Sequence, residues 1–398
     1  MDLWSETFAA MLGMILGGSY NWITKKVGAI AERCRLKKLN GKLKYTDLRA
    51  ENPSYVAFEH GIPYISGDDI VARDSGEKLF SDIPEQFKTK LEELGFVQPS
   101  ENLGNNQSIA LDGKPLAKSL AELGVRNPEL EIQEAKNTVA RQMIRQIEGG
   151  SPRFNGYLAG LYGVEVRRIG SKERTGLSLK FYQTDYYTYQ VLSRIYQIAL
   201  RGVVPGIEPN SISDLRRIRF LTASFGVACW IILDAGKGPE VLIGHRSNSV
   251  VVDQDKLHFS MNEALNSLDQ LQSGNYDLSA CVYRGLEEEL GIRSEFRRQL
   301  SDVRFLDFGV DLERLEAGIS CFIEIRLDEN FTLADLKEMV GISKDAAFET
   351  KGLYLQPLAS LADYLEEHEK SMSAGARSGL EMLISRYRAG YVPISIST

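Results

Sequence analysis

Residues 284–292 read RGLEEELGI, and the reading of that stretch decides the fold. Two adjacent acids, Glu288 and Glu289, follow Arg284 by four and five positions, and Gly291 and Ile292 close the run as a helix-ending glycine and an apolar return would. On a helix this spacing aims both carboxylates at one region of space, which is what binding a hydrated divalent cation requires. The residue after Arg284 is Gly285, where a metal-carrying helix of this design would place one more acid. The plain structural use of the Arg284 and Glu288 spacing is an intrahelical ion pair worth about 0.3 kcal/mol.

Outward from this helix, short apolar runs alternate with helical patterns. SFGVACWIILD (224–234), EVLIGHRS (240–247), SCFIEIRL (320–327) and GLYLQPL (352–358) read as strands, and EKSMSAGARSGLEMLISRYRAG (369–390) holds a C-terminal helix. The run from Phe225 to Leu233 is too short to cross a bilayer and ends at Asp234-Ala235-Gly236, a strand entering a turn. Short loops and mixed elements predict a compact α+β domain, and no internal repeat is present.

Upstream, residues 45–98 form short segments broken by glycine and proline, followed by the helical QFKTKLEELGF. PSENLGNNQS (99–108) is the best linker candidate. LEIQEAKNTVARQMIRQIEGG (130–150) carries Ile132, Val139, Met143 and Ile147 at helical spacing and stops at a glycine pair. It reads as a connector helix, with too few heptads for a coiled coil. LSLKFYQTDYYTYQVLSRIYQIAL (177–200) passes from strand to helix, and its Tyr182, Tyr186, Tyr187 and Tyr189 serve either as packing or as an aromatic wall for a base.

Composition narrows the function classes. Hydrophobic content of 43% and charged content of 25% are those of a folded globular chain, and the net charge of −7 argues against a nucleic-acid polymer as partner. Cys34, Cys229, Cys281 and Cys321 form no CxxC pair, and the four histidines show no metal-binding spacing, so buried free thiols are expected.

The amino terminus is different in kind. LWSETFAAMLGMILGGSYNWI (3–23) is mostly apolar with Glu6 as its sole charge, and as a helix it would be about 30 Å long, the thickness of a bilayer core. Trp4, Tyr20 and Trp22 sit where interfacial aromatics anchor a span, and a lysine- and arginine-rich flank follows, which the positive-inside rule keeps in the cytoplasm. Ala9, Gly13 and Gly17 recur every four residues, a face on which two membrane helices can associate closely. A buried core helix and an interfacial helix are the competing readings, whereas a signal peptide lacks its basic start. One transmembrane helix over 3–23 is therefore expected, then a mixed α/β juxtamembrane and connector region over 24–150, an extension over 151–219 and the sandwich domain over 220–398.

The element order together with RGLEEELGI resembles the Nudix fold, an α/β/α sandwich whose signature helix reads Arg-Glu-aliphatic-any-Glu-Glu-any-Gly-aliphatic. The match falls on Arg284, Leu286, Glu288, Glu289, Gly291 and Ile292, within a resemblance spanning about Phe220 to Tyr391. EVLIGHRS resembles the family's strand that ends in basic residues, and LHFSMNEAL (257–265) takes the place of its glycine-rich loop. The resemblance implies Mg²⁺ on Glu288 and Glu289 with help from Glu263 or Glu349, phosphate contacts from His245 and Arg246, a ligand contact from Glu263, and structural roles for Arg284 and Gly291; Tyr186, outside this span, is a candidate ligand contact as part of the aromatic wall.

The departure at Gly285 removes a family metal ligand, so no cofactor is certain and hydrolysis is expected to be weak or lost. A damaged signature joined to a membrane anchor resembles the SMODS-associated Nudix proteins, membrane effectors of bacterial cyclic-oligonucleotide anti-phage (CBASS) systems. That resemblance implies a cyclic oligonucleotide or other nucleotide ligand, a homo-oligomer acting on membrane lipid, and a single-pass protein of the bacterial inner membrane with its C-terminal domain in the cytoplasm. A divergent Mg²⁺-dependent hydrolase of nucleoside diphosphate derivatives is the second reading.

Overall fold

The apolar runs at 225–234 and 316–326 lie side by side and parallel, Phe225 opposite Ala317 and Asp234 opposite Arg326, at the centre of the main sheet. Strands covered on both faces need apolar residues at successive positions, and both runs have them. In the first, Cys229 to Leu233 is buried without interruption.

The structure is a computed structural model that describes residues 54–58, 64–95, 110–149, 155–169, 174–234, 238–247, 253–329, 331–343 and 350–392. In chain order its elements begin with β1 (Tyr55–Phe58), β2 (Ile65–Ser66), β3 (Ile70–Lys78), α1 (Glu85–Glu93), β4 (Ala110–Leu111), β5 (Lys114–Pro115), α2 (Leu116–Glu122) and α3 (Pro128–Glu148). Next come β6 (Tyr157–Ile169), β7 (Arg174–Asp185), α4 (Tyr186–Ile195), a π-helical turn (Tyr196–Leu200) and α5 (Ile212–Ile218). The rest comprises β8 (Phe225–Asp234), β9 (Pro239–Arg246), β10 (Leu257–His258), β11 (Met261–Ala264), β12 (Asn275–Tyr276), α6 (Leu278–Leu290), β13 (Arg304–Asp311), β14 (Glu316–Arg326), α7 (Leu333–Ile342), β15 (Thr350–Pro357), α8 (Leu361–His368) and α9 (Ala374–Arg388).

The main sheet runs β1-β13-β14-β8-β9-β10, with β2 also on β13, β11 on β8 and β15 on β9. Its two faces are covered by different helices. Val227, Cys229, Ile231 and Leu233 share a core with Cys281, Val282 and Leu286 of α6. On the other face Trp230 packs on Phe259 at 4.6 Å between ring centroids, and both rings lie against Gly379 of α9. A Cβ at Gly379 would sit 2.5 Å from the Phe259 ring, so glycine sets how closely α9 approaches. The expected mixed α/β architecture is therefore present. The 257–265 segment departs from expectation: it is not a loop but carries β10 and β11, pinned by pairing to β9 and β8.

A second sheet, β12-β3-β7-β6, joins the upstream region to the turn before α6, since Asn275 and Tyr276 pair with Arg73 and Ala72. Asn52–Thr398 group as one compact unit, and the expected divisions at 150 and 219 fall within it. The expected span over 3–23, its Ala9, Gly13 and Gly17 face and the 99–108 linker lie outside the described residues. Among those described, no helix is long and apolar enough to cross a membrane. Cys229, Cys281 and Cys321 are buried free thiols.

The tyrosine-rich segment is organised by one buried acid. Asp185 caps α4 by accepting from the Thr188 N–H at 2.7 Å, and its other oxygen accepts from Asn155 Nδ2 at 2.9 Å. Asn155 Oδ1 in turn accepts from the Tyr187 N–H at 2.7 Å. Tyr182 and Tyr187 are wholly enclosed and Tyr189 nearly so, as packing predicts, while Tyr186 stays half-buried. Asp185→Ala removes a cap inside the core and is expected to cost about 2 kcal/mol of unfolding free energy in denaturant titration. A loss below about 0.5 kcal/mol would show that α4 is held by packing alone.

Candidate functional site

The signature stretch forms a helix for local reasons. Asp277 opens α6 by accepting from the Ser279 and Ala280 N–H groups at 2.8 and 3.1 Å. Gly291 ends it in the left-handed region at φ 70, where a Cβ would lie 2.7 Å from the Met339 carbonyl oxygen.

Arg284 does more than pair along its own helix. Its Nε and Nη2 grip the buried Asp269 carboxylate at 3.0 and 2.8 Å, and Nη2 also donates to the Ala264 carbonyl at 2.9 Å. Nη1 reaches Glu263 at 2.9 Å and Glu288 at 3.3 Å. Three carboxylates from three separate segments thus share one guanidinium, and the Asp269 contact has the two-pronged geometry that makes arginine pairs strong. Asp269 was not singled out from the sequence. Its signal was local: Asn266-Ser267-Leu268-Asp269 closes a capping box in which Asp269 accepts from the Asn266 N–H at 3.0 Å.

Gly285 faces the strand beside it. A Cβ there would stand 2.6 Å from Met261 Sδ and 3.1 Å from Glu263 Cβ, so Met261 fills the space that a ligand glutamate at this position would need. Glu289 is buried and accepts from the Asn262 N–H at 3.1 Å. Magnesium requires about six oxygen ligands in octahedral array. With Glu263 and Glu288 held on Arg284, and position 285 closed, the residues present do not fit a magnesium cluster; Glu349 lies outside the described residues. No group of three or more His, Cys, Asp or Glu able to hold a metal occurs among those described.

Of the expected phosphate contacts, His245 is engaged by its neighbours, while the Arg246 Nε is buried with no acceptor. His245 Nε2 lies 3.1 Å from Asp255, and its Nδ1 is 3.3 Å from the Tyr354 hydroxyl. Arg246 stands with His245, His258, Asn262 and Glu289 around a cleft of only about 10 Å³, room for one water and not for a nucleotide. His258 is held well below the usual histidine range, first by burial and then by Arg246, Arg314 and Lys256, so it is neutral near pH 7. The structure therefore separates Tyr186 from the other proposed ligand contacts.

Tyr186 lines a different and much larger cavity of about 550 Å³, walled by α3 and by α4 with its π-helical continuation. Tyr186, Tyr189, Gln190, Ser193, Arg194 and Gln197 present one face of the second wall. Val139, Gln142, Met143, Arg145 and Gln146 present the first, with Asp253, Glu313 and Arg314 at the edge. The connector reading of α3 was silent on this, because a cavity arises from how two helices pack and not from either helix's periodicity.

A scan against protein-family models found no match for this chain, and a search of curated proteins found none either. Among solved structures the chain is similar to a mutT/nudix family protein from Listeria innocua, with 14% identity over 43% of this chain and 98% of that one and a TM-score of 0.28. It is similar also to a Nudix hydrolase from Alicyclobacillus acidocaldarius, with 11% identity over 44% of this chain and 98% of that one at 0.30. For an Ap4A hydrolase from C. elegans the values are 15% identity, 42% and 98% coverage, and 0.26.

Burial raises the Glu263 carboxyl from 4.5 to about 7, against the opposing pull of Arg284. A group that holds its proton more tightly folded than unfolded contributes stability that is present below pH 4.5 and lost as the pH rises to about 7. Glu263→Gln removes that dependence. The fall in unfolding free energy across this window is expected to flatten by at most about 3 kcal/mol in denaturant titrations. Parallel wild-type and variant curves would show that Glu263 ionises freely.

Proposed function

We propose that this chain is a membrane-anchored nucleotide sensor whose Nudix-like domain binds its ligand without hydrolysing it. The observation that carries the reading is the state of the signature helix. Its arginine is committed to Asp269, Glu263 and Glu288, and the position of the missing acid is filled by Met261. A helix held in this way supplies shape and rigidity, not Lewis-acid chemistry.

The finer reading keeps the resemblance drawn from the sequence. The ligand is a cyclic oligonucleotide, the anchor is the apolar stretch over 3–23 in the bacterial inner membrane, and binding favours a homo-oligomer that disturbs the bilayer as an anti-phage response. Ligand can drive association only through higher affinity for the associated state, and the Ala9, Gly13 and Gly17 face gives that state a contact.

The competing hydrolase reading draws on Glu263, because a carboxyl raised to about 7 is in the range of a general base. Its 2.9 Å contact with Arg284 turns it away from that use.

Two experiments test the proposal. Full-length protein in detergent, given Mg²⁺ with diadenosine tetraphosphate or ADP-ribose, is expected to show no turnover above the buffer rate. Gly285→Glu is expected to leave that result unchanged and to lower stability by about 1–3 kcal/mol through overpacking against Met261. Turnover abolished by Glu289→Gln would overturn the reading in favour of the enzyme. In membrane fractionation, the full chain should sediment with membranes and a chain lacking residues 1–24 should not; soluble full-length protein would remove the anchor.

A further inference from the structure

We infer that the nucleotide is held in the cavity between α3 and α4, with its phosphates on Arg145 and Arg194, and not at the signature helix. The inference rests on the nucleotide-binding reading above and gives it a place.

The cavity's volume of about 550 Å³ lies within the roughly 300–1,000 Å³ usual for small-molecule sites, whereas the cleft beside Glu289 is about 10 Å³. Its charges are sorted. Arg314 is already neutralised by Asp311 at 2.8 Å, Glu316 at 3.5 Å and Asp253 at 3.8 Å. Arg145 and Arg194 are different, since neither forms an ion pair or side-chain hydrogen bond among the described residues. The Arg194 Nε is buried and has no acceptor, as is true of the Nε of Arg314 and of Arg246, but Arg194 alone of these lines the large cavity without an ion pair. A buried donor left unmatched carries a desolvation cost, which a ligand oxygen would recover. Placed on two separate helices, the pair suits an anion that carries charge at more than one point.

The rest of the lining suits a base and a ribose. Gln142, Gln146, Gln190 and Ser193 have no side-chain hydrogen bond within the described protein and leave donors and acceptors for heterocycle edges. Tyr186 is half-buried, with its ring 6.1 Å from that of Tyr189, and gives a face on which a base can stack. Asp253 and Glu313 at the edge repel phosphate and accept from hydroxyl or exocyclic amino groups, so the ligand's polarity is fixed. The local backbone is also unusual. α4 runs into a π-helical turn through Gln197, and Asp253 sits at φ 52 and Leu315 at φ 56, conformations that side-chain-bearing residues seldom adopt.

The test uses full-length protein in detergent with ATP, 3′,5′-cyclic AMP and cyclic di-AMP as probes, read by calorimetry and by thermal shift. At least one probe is expected to bind. For that probe Arg194→Ala should weaken affinity about tenfold or more, as loss of a charged hydrogen bond does. Arg145→Glu, at an exposed helix position that leaves folding intact, should weaken it at least as much. Arg246→Ala, in the closed cleft, should stay within about twofold. Binding that survives Arg194→Ala and Arg145→Glu but is lost in Arg246→Ala would overturn the cavity assignment and leave the nucleotide reading standing. No binding of any probe to the wild-type chain would overturn that reading and this inference with it.

Discussion

One guanidinium holds the region around the signature helix. Arg284 ties α6 to the turn that carries Asp269 and to β11 through Glu263 and the Ala264 carbonyl, and so fixes the helix to two segments distant in sequence. Taking these charges out of water is expensive, and the contact is tolerable only because every partner is hydrogen-bonded. Removing any one carboxylate leaves the others closer to balance, whereas removing the arginine strands three acids in a partly dry site. The same arithmetic decides the chemistry. Carboxylates that must satisfy an internal cation are poor candidates for an external one, so the geometry that stabilises the helix also takes it out of metal binding.

Much of the fold was legible because its signals are local. The uninterrupted apolar run of β8, the Asp277 cap and Gly291 stop of α6, and the glycine stop of α3 each follow from residues within a few positions. The tyrosines followed the packing rule except Tyr186, the one kept apart as a ligand contact. What was not legible depends on pairing across the chain. Residues 257–265 form strands because β8 and β9 offer them partners, and β1, β2 and β3 pair with strands more than a hundred residues away. The role of Gly285 was half visible: the missing acid could be read from the helix, but the Met261 sulfur that occupies its place comes from a neighbouring strand. The cavity had no sequence signal, since Gln142, Arg145 and Gln146 look like an ordinary solvated helix face until α4 is set against them.

The large cavity and the closed cleft are not electrically independent. Arg314, at the cavity's edge, is one of the charges that keep His258 neutral in the cleft, along with Arg246 and Lys256. Asp253 stands between them, 3.2 Å from Lys256 and 3.8 Å from Arg314. Arg314 belongs to the turn joining β13 and β14, and β14 is the parallel neighbour of β8 at the centre of the sheet. An anion entering the cavity therefore meets a side chain whose other contacts run into the core, while the signature helix, packed on β8, is held fixed by Arg284. The turn that carries Arg314 is pinned twice, by charge contacts with Asp311, Glu316 and Asp253 and by Leu312 and Leu315 buried in the core. Charge contacts of that kind respond to a newly introduced charge over several ångströms, whereas close-packed apolar groups respond only to contact.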